Sequence, residues 1–380
     1  MRIWRPDDFA PIETLKYIIR ATAYCLDDTC HAVSSCIDAR GQVTKRYAFH
    51  DPANSMISQT VPSRWQTIAF AVGVTLALLP AGPARAQAQT EAKNQVQTEL
   101  WDGQRAMAVI GDLLRFTPRS METAGHQQTI DYIKAELAKT KADPVTLQRW
   151  VFRNDGKPFA MTNIIARFQP SNPRRVIVAT HYDSIVKAYR DAKTPDAPMP
   201  GANNSSSGVA VLLETARVLS LLPAPPVGID FVFFDGEEGS KSLGAGDPDF
   251  APIGSPYFAG HLRDFYPAKK PEKAAVFDMV CDRDLHLKPD PSSIDSAGAE
   301  LKKFWDIGIA TAPASFDAKP LPYAMSDDHS ALAAAGVPSF LVIDFEYEPF
   351  YNTTQDTLDK CSAKSLEAVG RTLLQYLYAP

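Results

Sequence analysis

From residue 175 onwards the chain alternates short apolar runs with longer stretches of helical period. The runs are Arg175-Val-Ile-Val-Ala-Thr180, Ile229-Asp-Phe-Val-Phe-Phe234, Ala274 to Met279 and Ser339 to Ile343. Near-continuous apolar segments of this length, rich in β-branched and aromatic residues, are the pattern of strands buried on both faces. Two further strand-like runs, Val145 to Phe152 and Asn163 to Phe168, precede them. Helical spacing occurs in Glu91 to Leu114, Val209 to Leu221, Leu301 to Ile309 and Ala363 to Leu377. It also occurs in Gln127 to Lys139, where Ile130, Ile133 and Leu137 form one stripe. Alternation of this kind predicts an α/β domain with a mostly parallel mixed sheet and helices on both faces. In such sheets ligands bind at the carboxyl ends of the strands. The Pro- and Gly-rich stretch Lys241 to Pro256 reads as a long surface loop near that edge.

The amino-terminal part has a different pattern. Ile68 to Leu79 is apolar but too short to span a bilayer as a helix. Arg64 precedes it, Pro80, Gly82 and Pro83 follow it, and Ala84-Arg85-Ala86 has the form of a cleavage site. Together these predict a secretory signal over 56–86. Residues 1–55 then read as an extension ahead of a start at Met56, without sustained periodicity and without metal-site spacing of Cys25, Cys30 and Cys36. The predicted mature chain, 87–380, is secreted or periplasmic and has no stable membrane span. It keeps Cys281 and Cys361, which either pair in an oxidising compartment or stay as buried thiols. A net charge of −5 excludes a basic nucleic-acid binder.

Candidate chemistry gathers at the predicted strand ends. His181-Tyr182-Asp183 follows one strand and Asp235-Gly236-Glu237-Glu238 another; Asp278 ends a third, and Asp327-Asp328-His329 precedes the last. Each alone has an ordinary reading: a surface histidine, an acidic turn, a helix cap. Four such groups at four strand ends form a constellation. Adjacent glutamates at a strand mouth can divide the labour of metal hydrolysis, one holding a cation and its neighbour taking a proton.

In the order H-Y-D, G-A-N-N-S-S-S-G-V-A, F-F-D-G-E-E, F-D-M-V, S-D-D-H and Y-N-T-T-Q-D-T, the chain resembles metallopeptidase family 28. That family includes secreted zinc aminopeptidases and glutaminyl-peptide cyclotransferases. The resemblance starts at Thr117-Pro118-Arg119 and Gly125-His126, and implies a zinc aminopeptidase-like single domain holding one or two zinc ions. It assigns metal positions to His181, Asp278 and Glu238, with Glu237 as general base and Asp183 orienting His181. Asp327 would act in catalysis and His329 beside it in substrate binding. A bridging aspartate is expected at Asn204 and a ligating histidine at Asn352, and this chain carries an asparagine at both. Neutral amides are poor zinc donors, so zinc binding is expected to be weakened. The resemblance implies a peptide ligand with a free amino terminus and three readings: aminopeptidase-type hydrolysis, formation of pyroglutamate by a glutaminyl-peptide cyclotransferase, or a catalytically impaired peptide-binding homologue.

Overall fold

The computed structural model describes residues 22–26, 29–37, 43–49, 97–154, 156–239 and 250–379. The predicted signal, 56–86, lies outside these.

An antiparallel sheet is formed by β1 (Thr22–Leu26), β2 (Thr29–Ile37) and β3 (Val43–Phe49), with Cys25 opposite Cys30 in register. Its β-branched and aromatic residues are divided into runs by short polar connections, which is a hairpin signal.

The second unit is built on a six-stranded sheet of order β4-β5-β7-β6-β8-β9. Its strands are β4 (Val145–Asn154), β5 (Lys157–Phe168), β6 (Arg175–His181), β7 (Gly228–Phe234), β8 (Lys273–Asp278) and β9 (Ser339–Ile343). The four strands β7, β6, β8 and β9 are parallel neighbours, while β4 and β5 add an antiparallel hairpin at one edge. In register, His181 stands beside Phe234 and Asp278 beside Ile343, so the candidate residues start from one edge of the sheet.

Side-chain alternation along the strands divides the core in two. On β6, Val176 and Val178 join one cluster, and Ile177 and Ala179 the other. The first cluster is covered by α1 (Gly103–Leu114), α2 (Ala124–Leu137), α3 (Ser206–Leu221), α6 (Pro291–Thr311) and α8 (Ala363–Tyr378). The second lies under α4 (Gly254–Gly260), α5 (Leu262–Phe265) and α7 (Asp328–Ala334). The predicted mixed, mostly parallel sheet with helices on both faces is what forms.

Three boundaries move, each for a local reason. Of the helix expected over 91–114, residues 91–96 lie outside the described residues, and the rest is a 3-10 turn, Thr98–Leu100, followed by a break and then α1. Trp101 causes the break: its side chain is fully buried and its indole N–H donates to Thr215 Oγ1 at 3.0 Å, while the Asp102 carboxylate caps the new helix. α6 starts ten residues before the expected 301, because Asp290 caps it and Pro291 occupies its first turn. Of the loop expected over Lys241 to Pro256, residues 241–249 lie outside the described residues, and α4 begins at Gly254, whose carbonyl accepts from the Asn163 amide at 2.9 Å.

Candidate functional site

The strand ends present their polar residues to one another, and all are buried: His181, Asp183, Asn204, Glu237, Glu238, Asp278, Asp327, His329 and Asn352. His181, the last residue of β6, receives acids on both ring nitrogens. Nε2 lies 3.1 Å from Asp278 Oδ1, and Nδ1 lies 3.5 Å from Asp183 Oδ1 and 3.7 Å from Glu237 Oε2. Burial opposes its charged form, but Glu237 and Asp278 more than offset this and hold its pKa well above the ordinary value.

Asp183 does more than orient the imidazole. Its two oxygens accept the backbone N–H groups of Glu237 at 3.0 Å and Glu238 at 3.2 Å, fixing the turn that follows β7. Beneath that turn, Asp235 bonds His126 Nε2 at 2.8 Å and the backbone of Thr162 at 2.6 Å. The Tyr182 hydroxyl donates to the Thr162 carbonyl at 2.8 Å, closing the support.

Burial raises the carboxyls that are left facing one another. Glu237 is held well above the ordinary value by desolvation and by Asp327, Glu238 and Asp328, against the opposing pull of His181. Glu238 is pushed up to about 8 by burial, against the pull of His181, with Asp183 and Asp278 adding to the rise. Asp327, the cap of α7, is pushed up to about 6 by burial and by Asp278. His329 stands behind it, with Nε2 2.9 Å from Ser292 Oγ and 3.4 Å from Asp290 Oδ2. Serine, histidine and aspartate meet here, yet both partners share one ring nitrogen. The arrangement is therefore a helix-cap network and not a nucleophile relay, which needs base and orienting acid on opposite nitrogens.

The loop before α3 brings in Asn204. Gly201 has φ +70°, and a Cβ there would sit 2.6 Å from the Asn204 carbonyl oxygen and 2.7 Å from the Arg119 guanidinium, so only glycine fits. Arg119 is wholly buried and donates to the carbonyls of Pro200 at 2.8 Å and Gly201 at 2.9 Å and to Ser205 Oγ at 2.7 Å. Asp356 accepts the backbone N–H groups of Asn203 at 2.8 Å and Asn204 at 3.0 Å. The sequence reading gave Arg119 and Asp356 only as parts of motifs. Asp356 was accessible through its place in Q-D-T, but its loop contacts join residues far apart in sequence.

Held in this way, the Asn204 side-chain amide donates to Glu238 Oε1 at 2.5 Å and to Asn352 Oδ1 at 3.1 Å. Ser205 (φ +86°), Met279 (φ +46°) and Asn352 (φ +53°) adopt left-handed backbone around this cluster. Such strain gathers where surrounding contacts over-determine a site. Cys281 and Cys361 form a disulfide that ties the segment after β8 to the segment before α8. The Cys281 N–H donates to Asn203 Oδ1 at 2.9 Å, so the staple also touches the Asn204 loop. At the rim, Arg190 stacks 5.1 Å from the Tyr351 ring, and Phe345 packs edge-on against both Tyr351 and Tyr323.

Residues 163–377 match Peptidase family M28, which is more than half of the chain. Aminopeptidase YwaD of Bacillus subtilis (strain 168) is 26% identical over 289 residues, covering 73% of this chain. The match spans only 57% of that relative's own length. Among solved structures, Tannerella forsythia glutaminyl cyclase is 30% identical with a TM-score of 0.67, covering 74% of this chain and 99% of the other. A Zn-dependent exopeptidase from Parabacteroides distasonis ATCC 8503 is 27% identical with a TM-score of 0.68, with coverage of 74% and 99%.

These relationships imply zinc, and the residues can be tested for it. Of the expected trio at 204, 238 and 352, only Glu238 has a donor that zinc favours. Its oxygen is already taken by the Asn204 N–H, a donor that faces the carboxylate as a cation would. Among the described residues no group of three or more His, Cys, Asp or Glu could hold a metal ion. The donor set does not fit zinc. Ancestry is a separate question from the ligand set: the order of the motifs, the sheet that carries them and the match over 163–377 agree, and this chain belongs to peptidase family M28.

Proposed function

We propose that this protein binds peptide amino termini without zinc-dependent chemistry, as a catalytically impaired member of its family. The observation that carries this reading is the Asn204 amide bonded to both Glu238 and Asn352, where a zinc shell would need carboxylate and imidazole. The other residues gathered at the strand ends carry groups that an amino-terminus receptor would use. Glu237, Asp278 and Asp327 offer carboxyl oxygens that can accept from a ligand's ammonium group, and Tyr351, Phe345 and Tyr323 offer aromatic faces for its first side chain. A secreted or periplasmic location accords with the predicted signal over 56–86 and with the Cys281–Cys361 disulfide, a bond of oxidising compartments. Among the described residues no helix is long and apolar enough to cross a membrane.

A second reading rests on a different observation: the row Glu237, His181 and Asp278 is complete, with 3.7 Å and 3.1 Å steps. In that reading the protein still acts on peptide amino termini, by aminopeptidase-type hydrolysis or by glutaminyl-peptide cyclisation. Glu237 moves the proton and Asp327 helps hold the geometry.

Zinc titration by calorimetry separates the two. The purified chain is expected to retain no zinc, and Asn204→Asp combined with Asn352→His is expected to gain a tight site. Should the double variant bind zinc no better than the native chain, these positions do not form the metal shell. Native turnover of an aminoacyl amide or a glutaminyl peptide would instead establish the second reading.

A further inference from the structure

The edge of the six-stranded sheet away from the acids holds a cavity of about 160 Å³. The starts of the parallel strands line it: Arg174 and Val176 at β6, Val227 just before β7, and Lys273 opening β8. The length of β6 puts about 20 Å between this edge and His181. Glu300 and Lys303 of α6, with Tyr376 and Leu377 in the last turn of α8, close the other side. The charged groups are arranged around the buried Tyr376 ring: Lys273 Nζ lies 4.4 Å and Lys303 Nζ 5.8 Å from its centroid. The phenol donates to Glu300 Oε2 at 2.7 Å, and Lys273 pairs with the same oxygen. At the exposed mouth Arg174 forks onto Glu272 at 3.1–3.2 Å. Lys303 donates to the Ala379 carbonyl at 3.3 Å, and burial together with Lys273 holds its pKa below the ordinary value against the pull of Glu300. Two ammonium groups thus share one partly desolvated wall, where like charges repel more strongly than in water.

We infer that this cavity binds a small monocarboxylate, its carboxylate held by Lys273 and Lys303 and its hydrocarbon part lying against Pro226, Val227 and Leu377. Sites for drug-sized ligands run to about 300–1,000 Å³, so this one takes a molecule of a few carbons. A carboxylate between the lysines makes charge-assisted hydrogen bonds and offsets their mutual repulsion. Glu272 and Glu300 oppose a second negative charge, which favours a monoanion over phosphate. The cavity shares no residue with the strand-end constellation, and its ligand is independent of peptide binding there.

Calorimetry on the full chain with butanoate, butylamine and inorganic phosphate tests this. Butanoate is expected to bind, phosphate to bind more weakly and the amine not at all, and butanoate affinity should fall as salt is raised. Lys303→Met keeps the apolar stem and loses the charge, and is expected to weaken butanoate about 10-fold or more, the range of one hydrogen bond to a charged group. Lys303→Arg, which keeps the charge, should retain most of the affinity. A folded Lys303→Met variant that binds butanoate as tightly as the native chain overturns the inference. Should that variant not fold, the native chain decides: no binding of butanoate, binding indifferent to salt, or equal binding of butylamine each overturns it. Phosphate bound as tightly as butanoate overturns the choice of a monocarboxylate.

Discussion

Replacing Arg119 tests whether the loop bearing Asn204 is held from below. The guanidinium is wholly buried and makes three bonds of 2.7–2.9 Å, to two backbone carbonyls and a hydroxyl. Burial lowers its pKa to about 10, opposed by Asp356 and Asp183, so it stays charged at neutral pH. Hydrogen bonds to a charged group contribute about 1.5–3 kcal/mol each, and they are not additive when they share one donor group. Arg119→Met removes all three and leaves Asp356 and Asp183 without the buried cation they face, although Ser206 Oγ and Thr117 Oγ1 still donate to the two carbonyls, for an expected loss of about 3–5 kcal/mol. That is a large fraction of the ~5–15 kcal/mol that stabilises a typical domain. Arg119→Lys keeps the charge but not the fork, and is expected to lose about half as much. Urea unfolding, with the slope compared between variants, gives both values. A methionine variant within about 1 kcal/mol of the native protein, or a lysine variant no better than methionine, would refute the clamp.

Three further perturbations probe other parts of the structure. Gly370→Ala would set a Cβ 2.0 Å from the buried Trp101 ring, and overpacking of this kind costs about 1–3 kcal/mol; differential scanning calorimetry should show a lower Tm, and an unchanged Tm would mean that α8 can shift. Reducing the Cys281–Cys361 bond opens a crosslink between residues 80 apart in sequence, and a loss of about 2–4 kcal/mol is expected in urea unfolding with and without dithiothreitol. Burial raises the Asp290 pKa, but hydrogen bonds from His329, Ser292, Met325 and Ser293 outweigh it and hold the carboxyl below its ordinary value. A lowered native pKa stabilises above the unfolded pKa and is lost as pH falls through the native one. The Tm gap between the native chain and Asp290→Asn should therefore narrow from about pH 6 to about pH 3, and a constant gap would exclude this linkage.

The sequence by itself determined the central strands and the groups at their ends. Val176 to Ala179, Phe231 to Phe234 and Phe340 to Ile343 are apolar throughout because both faces of those strands are covered, and this is written locally in every residue. It also carried the two asparagines, since an amide in place of an acid or imidazole is legible without coordinates. It did not carry the first half of β5, where Lys157 and Pro158 lie in an exposed hairpin that hides the period. Nor did it carry α4, whose small residues show no stripe. Only the tertiary structure decided what the asparagines do. Asn204 meets Glu238 and Asn352 across sequence separations of 34 and 148 residues, and Asp183 meets the Glu237 turn across 54. Local patterning reports how deeply each residue is buried. Which buried residues meet depends on the strand order, and that is set by packing the whole sheet at once.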